Sequence, residues 1–312
     1  MRIFVAGATG AIGTPLVRRL VANGHDVIGM TRSPARAGTL RAAGATAVIA
    51  DALDRDAVVA AVAEARPDVV VHQLTALGDL KFPRNLDRAF AGTNRLRTEG
   101  TENLLAAALA AGARRIVAQS FAGWPAVRSG GPVKTEADPF DPDPVPSMRA
   151  SLDAIKRCEE LVTGTEGIEG IALRYGGFYG PGTGLSADGE QLELVRKRRF
   201  PVVGDGAGVW SFIHIDDAAA ATVAAIEGGA PGVYNVTDDE PAPVRVWLPA
   251  LASAAGAPTP RHVPRWVGRL AAGEAAVAMM TTIRGAANGK AKRGLGWAPA
   301  HATWREGFAS LF

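Results

Sequence analysis

Apolar residues follow two rhythms in the first half of the chain: short unbroken runs, and longer stretches in which they recur at helical spacing. The runs at 2–6, 25–30, 45–50, 69–72, 115–119 and 170–174 read as six strands buried on both faces. Helical patterns separate them, first from the glycines after Ala6 to about Asn23, then near 34–43, 54–65, 86–111 and 147–163. Strands alternating with helices predict an α/β fold with a parallel sheet covered on both sides, and right-handed crossovers make it doubly wound. After about Tyr175 the rhythm changes: glycines and prolines crowd residues 176–189, and helices dominate the C-terminal end. Residues 233–236 read as one more strand of the main sheet. The predicted division is a main domain of 1–175 with about 213–236, and a smaller, mostly helical domain of 176–212 and 237–312.

Composition narrows the partners. A chain of 312 residues, 47% hydrophobic and 21% charged, has the make-up of an ordered globular protein. The net charge is only +3 with its arginines dispersed, which argues against nucleic acid as a partner. The one basic run, Arg196-Lys197-Arg198-Arg199, follows a helical segment and reads as its solvated end. A single cysteine, Cys158, excludes an intrachain disulfide and a cysteine metal cluster. No signal peptide is visible, and the alanine-rich stretch 218–226 falls far short of the ~20 residues of a membrane span. A cytoplasmic protein acting on a small molecule is expected, with no membrane or nucleic-acid partner and a homodimer as the assembly to consider.

The chemistry begins at Gly7-Ala8-Thr9-Gly10-Ala11-Ile12-Gly13, directly after the first strand and opening a helix. Small residues at this spacing let the backbone approach a diphosphate, and the helix N-terminus supplies free N–H groups. Strand two then ends in Thr31-Arg32-Ser33-Pro34-Ala35-Arg36, without the acid that would hold the ribose hydroxyls of NAD. Arg32 and Arg36 suit a 2′-phosphate instead, so NADP(H) is favoured over NAD(H).

Further motifs run the length of the chain. They are Glu99-Gly100-Thr101-Glu102-Asn103-Leu104-Leu105, Leu173-Arg174-Tyr175-Gly176-Gly177-Phe178-Tyr179-Gly180-Pro181-Gly182, Phe212-Ile213-His214-Ile215-Asp216-Asp217-Ala218 and Leu295-Gly296-Trp297. With the glycine turn, they make the chain resemble the extended short-chain dehydrogenase/reductase family, the epimerase/dehydratase-like Rossmann group. The resemblance implies adenine contacts at Asp51 and Ala52, and a cofactor-lining turn at Leu74, Thr75 and Ala76. It also brings Tyr175, Gly176 and Phe178 to the nicotinamide end.

The family's reactive positions are altered. Its members carry a tyrosine four residues before a lysine on one helix, with a serine or threonine after strand five. Lys156 keeps the lysine, which the resemblance assigns to the nicotinamide ribose, but Leu152 stands where the tyrosine belongs. Arg97 takes the place of an asparagine, and the serine position falls on Ser120 or Phe121, with Ser120 as the candidate catalytic hydroxyl. Leucine cannot donate a proton, so Ser147, Ser151, Tyr175, Tyr179, Lys156 or water are the possible donors. His72 and His214 read as structural, no metal-ligand spacing appears, and there is no G-x-S-x-G elbow. Phe121, Trp124, Leu152, Tyr179, Trp210 and Met279 are the expected substrate lining. Val209-Trp210-Ser211 stand where nucleotide-sugar relatives place an arginine, so the substrate is expected to be apolar or aromatic. The expected function is an NADPH-dependent reductase of a carbonyl or conjugated small molecule. An NADP-dependent epimerase or dehydratase, and a non-catalytic NADP(H) sensor, are the alternatives.

Overall fold

A computed structural model describes residues 1–77 and 85–311. The first half alternates β1 (Arg2–Ala6), α1 (Gly13–Ala22), β2 (Asp26–Thr31), α2 (Pro34–Ala42), β3 (Thr46–Ile49), α3 (Arg55–Ala65) and β4 (Val69–His72). It continues through α4 (Leu86–Arg95), α5 (Thr101–Ala110) and β5 (Arg115–Phe121). Next come β6 (Val133–Lys134), α6 (Arg149–Gly164), β7 (Glu169–Tyr175), β8 (Gly177–Tyr179) and α7 (Glu190–Arg196). Then follow β9 (Val202–Val203), β10 (Val209–Trp210), β11 (Phe212–His214), α8 (Ile215–Glu227) and β12 (Gly232–Val236). The chain ends with β13 (Ala242–Pro243), α9 (Val244–Ala254), β14 (His262–Val263), α10 (Arg265–Thr281), β15 (Gly285–Ala286), α11 (Gly289–Leu295) and α12 (Trp304–Ala309).

Local chemistry sets many of these boundaries. Asp54 and Asn85 accept the backbone N–H groups of Ala57 and Arg88, capping α3 and α4. Arg66 then closes α3 in the left-handed region at φ 45°. Along α1, Leu16, Val17 and Leu20 form the stripe that is buried against the sheet.

Seven parallel strands form the main sheet in the order β12-β7-β5-β4-β1-β2-β3. The alternating residues of β1 feed two cores: Ile3 and Val5 face α1 and α8, whereas Phe4 and Ala6 face the α3 and α5 side. Strand order reverses between β1 and β4, and the carboxyl ends there open the crevice in which doubly wound sheets bind ligands.

Two elements differ from the sequence expectation. The helix expected over 86–111 contains a π-turn, Leu96–Gly100, between α4 and α5. In addition, α11 and Trp297, expected in the smaller domain, pack into the main core: Ala291, Leu295 and Trp297 join Tyr234 and Ile226. Apolar side chains, not chain order, decide which core a segment joins. The remaining C-terminal elements surround a separate core around Trp247, Phe212, Tyr179 and Phe308. No helix among the described residues is long and apolar enough to cross a membrane.

Candidate active site

The turn after β1 has room only for glycine at two points. Gly7 has φ +86°, and a Cβ there would stand 2.6 Å from the Gln73 carbonyl oxygen. At Gly13 a Cβ would lie 2.1 Å from the Gly7 carbonyl oxygen. Gly10 closes the turn by donating to Gly7 at 3.0 Å, and Thr9 bonds Thr31 across to β2 at 3.2 Å. Ala11 is exposed on the loop, and Ile12 is buried beneath it. This cradle opens at the N-terminus of α1, where the cap residue Ile12 makes no side-chain hydrogen bond to the helix. It fits a dinucleotide diphosphate.

At the end of β2, Arg32 and Arg36 are both exposed, and an Arg32 Nη lies 3.9 Å from the Asp51 carboxylate. Asp51 also accepts the Leu53 N–H at 3.0 Å, which fixes its carboxylate at the mouth of the crevice. Ala52 is buried below it, its carbonyl held by Asn103 at 2.9 Å. Leu74, Thr75 and Ala76 leave β4 beside the glycine turn, pinned by His72 Nδ1 to the Leu74 N–H and by Thr93 to the Ala76 N–H. Burial lowers the pKa of His72 to about 4, so it is a neutral strut.

Helix α6 carries Lys156 half-buried, with its Nζ 5.7 Å from the centre of the Phe140 ring. Asp87 fixes the start of that helix, accepting the N–H groups of Ala150 and Ser151 and the Ser151 hydroxyl. One turn before Lys156, Leu152 is 1% exposed in an apolar cluster with Trp124, Met148, Ile155 and Ile283. Phe121, Phe140, Trp210 and Met279 pack against the same cluster. Trp210 is held by its indole N–H, which donates to the Met279 carbonyl at 2.8 Å. Five of the six residues expected to line the substrate site thus come together.

Several hydroxyls expected near the chemistry are engaged elsewhere, Ser151 with Asp87 among them. Ser120 is corrected first: it is buried and donates to Glu159, which also takes a two-pronged ion pair from Arg174 at 2.8 and 2.7 Å. Strand alternation turns Ser120 toward α6 and leaves Phe121 against the apolar cluster. Tyr179 is corrected next: fully buried, it meets the rings of His214 and Phe308 edge-on inside the smaller domain's core. Tyr175 is expected near the cofactor, but its side chain points into the main core. Its hydroxyl bonds Thr222 at 2.7 Å and Gln73 at 3.1 Å, and burial raises its pKa. A Cβ at Gly176 would stand 2.8 Å from the Ser211 carbonyl oxygen, and Phe178 packs beside Tyr175 against the main core.

Arg97 is 3% exposed in the π-turn, and its Nη1 has no hydrogen-bond partner. Burial lowers its pKa to about 10, with Cys158 and Glu159 acting in the opposite direction. Among the described residues, His214, Asp217 and His301 also cluster, their ligand atoms within 4.8 Å of one another. Asp217 is committed to the N–H groups of Ala300 and His301. The two imidazoles stack at 3.8 Å, so their in-plane lone pairs run side by side and do not converge on an ion. His214 Nδ1 instead caps α8 through the Asp216 N–H. Nothing in the sequence singles out Phe140, which a proline-rich loop brings over Lys156 and Arg174.

Residues 3–237 match the family model described as the NAD dependent epimerase/dehydratase family. The chain is 49% identical over 308 residues to a 3-diazoavenalumate denitrifying reductase from a Streptomyces species, covering 98% of this chain and 99% of that protein. It is 30% identical to a 2-alkyl-3-oxoalkanoate reductase from Stenotrophomonas maltophilia, covering 83% of this chain and 77% of the relative. Among solved structures, it resembles a UDP-glucose 4-epimerase from Thermotoga maritima with UDP-glucose. That likeness has a TM-score of 0.75 at 23% identity and covers 99% of this chain and 96% of that one. A dTDP-glucose 4,6-dehydratase from Streptomyces venezuelae with NAD bound matches at TM-score 0.76 and 22% identity, over 100% and 95% of the two chains. At these identities the structural likeness is one of fold.

Proposed function

Because the chain belongs to the NAD-dependent epimerase/dehydratase family and is a nicotinamide-dinucleotide oxidoreductase, we propose that it is an NADPH-dependent reductase that removes dinitrogen from an aromatic diazo compound. One observation carries the reading: Leu152, sealed among apolar side chains, holds the place of a proton donor one turn before Lys156. Reduction of a carbonyl needs a proton on oxygen as hydride reaches carbon. Loss of dinitrogen from an aryl diazonium does not: NADPH, held by these residues, would supply hydride to the ring carbon, and the C–N electron pair would leave with N2. The extensive identity to a protein named as a denitrifying reductase of a diazo acid supports the same chemistry.

The chain's own residues then bind, orient and exclude water. Gly7, Gly10 and Gly13 admit the diphosphate, and Asp51 with Ala52 borders the adenine side. Arg32 and Arg36 favour a 2′-phosphate, while Lys156 holds the nicotinamide ribose. Leu74, Thr75, Ala76, Gly176 and Phe178 line the crevice between these ends. Phe121, Trp210 and Met279, partly buried over the sealed Trp124 and Leu152, form an apolar seat that keeps water from an electrophile prone to hydrolysis.

The test supplies NADPH with an aryl diazonium salt, or with the aryl ketone of the same ring, against a protein-free control. The expected result is NADPH oxidation matched one-to-one by N2 and arene, above the control rate, with little turnover of the ketone. Ketone reduction without diazonium reduction would refute the reading. So would the absence of protein-dependent NADPH oxidation with both.

A further inference from the structure

A small open cleft lies beside the apolar seat, walled by Phe121 and Phe140 and lined also by Lys134, Asp138, Arg174 and Asn235. Both cations are largely buried, their side chains 7% and 12% exposed. Lys134 is carried into place by β6, which pairs with β15 through the register Gly285 to Val133 and Ala286 to Lys134. Its ammonium donates to the Ser129 carbonyl at 2.7 Å and to Asp138 at 3.3 Å. The other Asp138 oxygen accepts the N–H and hydroxyl of Thr135 at 2.8 and 3.0 Å. These hydrogen bonds hold the Asp138 carboxyl below the usual range. An ammonium has three donors, and two of those of Lys134 are engaged among the described residues.

Arg174 is in the same state. Its Nε and Nη2 engage Glu159, and no hydrogen bond engages its Nη1 among the described residues. Two buried cations therefore line one aromatic-walled cleft. Phe140 already stacks there, its ring centre 4.7 Å from the Arg174 guanidinium carbon and 5.7 Å from the Lys156 Nζ. Cations stacked on a ring face make a seat suited to a planar aromatic group.

We infer that Lys134 and Arg174 form a carboxylate-binding subsite, so the substrate is a planar aromatic acid and not a neutral apolar molecule. The inference rests on the reductase reading for the position of the reacting ring, with the ring on the apolar seat and the carboxylate at Lys134 and Arg174. An incoming carboxylate accepts one N–H from each cation without breaking either existing ion pair. Arg97 and Lys156 add two further positive charges around Glu159 and Phe140, which favours an anion over its neutral ester.

The experiment first titrates NADP+ into the protein, which tests the cofactor reading by itself. Isothermal titration then compares trans-cinnamate with methyl trans-cinnamate on the NADP+-loaded protein, or on the free protein should NADP+ not bind. The unmodified protein should bind the acid at least tenfold tighter than the ester. Lys134→Met should reduce that preference to about threefold or less while leaving ester and NADP+ affinities in place. Equal affinity for acid and ester in the unmodified protein overturns the inference, as does a full preference retained in Lys134→Met. Should Lys134→Met not fold, Lys134→Arg must keep the preference, and the acid-to-ester ratio of the unmodified protein still decides. Failure to reduce a diazonium leaves this ratio untouched, so the two readings fail separately.

Discussion

Restoring a phenol at Leu152 tests whether the site has lost a proton relay or replaced it. Leu152 is 1% exposed and packed against Trp124, Met148 and Ile155, so a tyrosine ring has no free volume to enter. Overpacking a dense core costs about 1–3 kcal/mol. Burying a hydroxyl without a partner costs about 1–3 kcal/mol more, because the nearby polar groups are engaged: Ser120 with Glu159, Ser151 with Asp87. Leu152→Tyr should therefore destabilise the protein by about 2–6 kcal/mol in total. An unfolding entropy of about 2.1 cal/mol/K per residue, taken over 312 residues, gives about 0.66 kcal/mol/K, hence a fall in Tm of about 3–9 °C. The assay pairs thermal melts with NADPH oxidation over one panel of aryl ketones, enones and diazonium salts. Diazonium turnover should fall and ketone turnover should not appear. A variant that keeps the unmodified Tm and gains ketone reduction would refute the argument, since the site would then be a reductase lacking only its acid.

Three further outcomes follow from single residues. Arg32→Asp should weaken NADPH by about 1–3 kcal/mol while sparing NADH, read by fluorescence titration of both cofactors; equal losses would remove the 2′-phosphate role. Lys156→Ala should weaken NADPH binding and lower any turnover, and unchanged affinity and rate would remove its ribose role. Asp238 is 1% exposed, and burial raises its pKa to about 8, above the ordinary carboxyl range near 4. The unfolded chain therefore releases this proton first as pH rises, and stability is lost between about pH 4 and about pH 8. Asp238→Asn removes that loss, so its Tm should fall less than the unmodified protein's between pH 5 and pH 8; parallel falls would contradict the assignment.

The parts of the fold that follow from periodicity were legible in the residues alone. The glycine turn, the main-sheet strands and the helix bearing Lys156 each announce themselves by spacing. The site was less legible because strand alternation and tertiary packing decide it. A one-residue choice between Ser120 and Phe121 selects opposite faces of β5, and only the Glu159–Arg174 pair on one face resolves it. Tyr179 sits three residues past the crevice glycine Gly176, yet its ring turns away because Phe308 and His214 close over it. Lys134 and Phe140 lie in a glycine- and proline-rich segment with no periodicity, where sequence spacing carries no information about approach.

The altered positions bear on whether the chain is a working enzyme or a decayed one. Two polar positions of the family's relay have changed, tyrosine to Leu152 and asparagine to Arg97, and the serine position falls on Ser120 or Phe121. Decay by drift would leave voids and stranded polar groups where each partner was lost. Leu152 and Phe121 instead belong to one packed surface with Trp124, Trp210 and Met279, elements drawn from both halves of the chain. Stranded polar atoms do remain among the described residues, at Arg97 Nη1, Asn94 Oδ1 and Gln73 Oε1. The Arg97 cation lies near Glu159, the carboxylate that also pairs with Arg174. Apolar packing on one wall and cations on another suit the proposed ligand, with an aromatic ring and an acid group. That pairing favours a rebuilt active site over an NADP(H) sensor, which would have no use for the second wall.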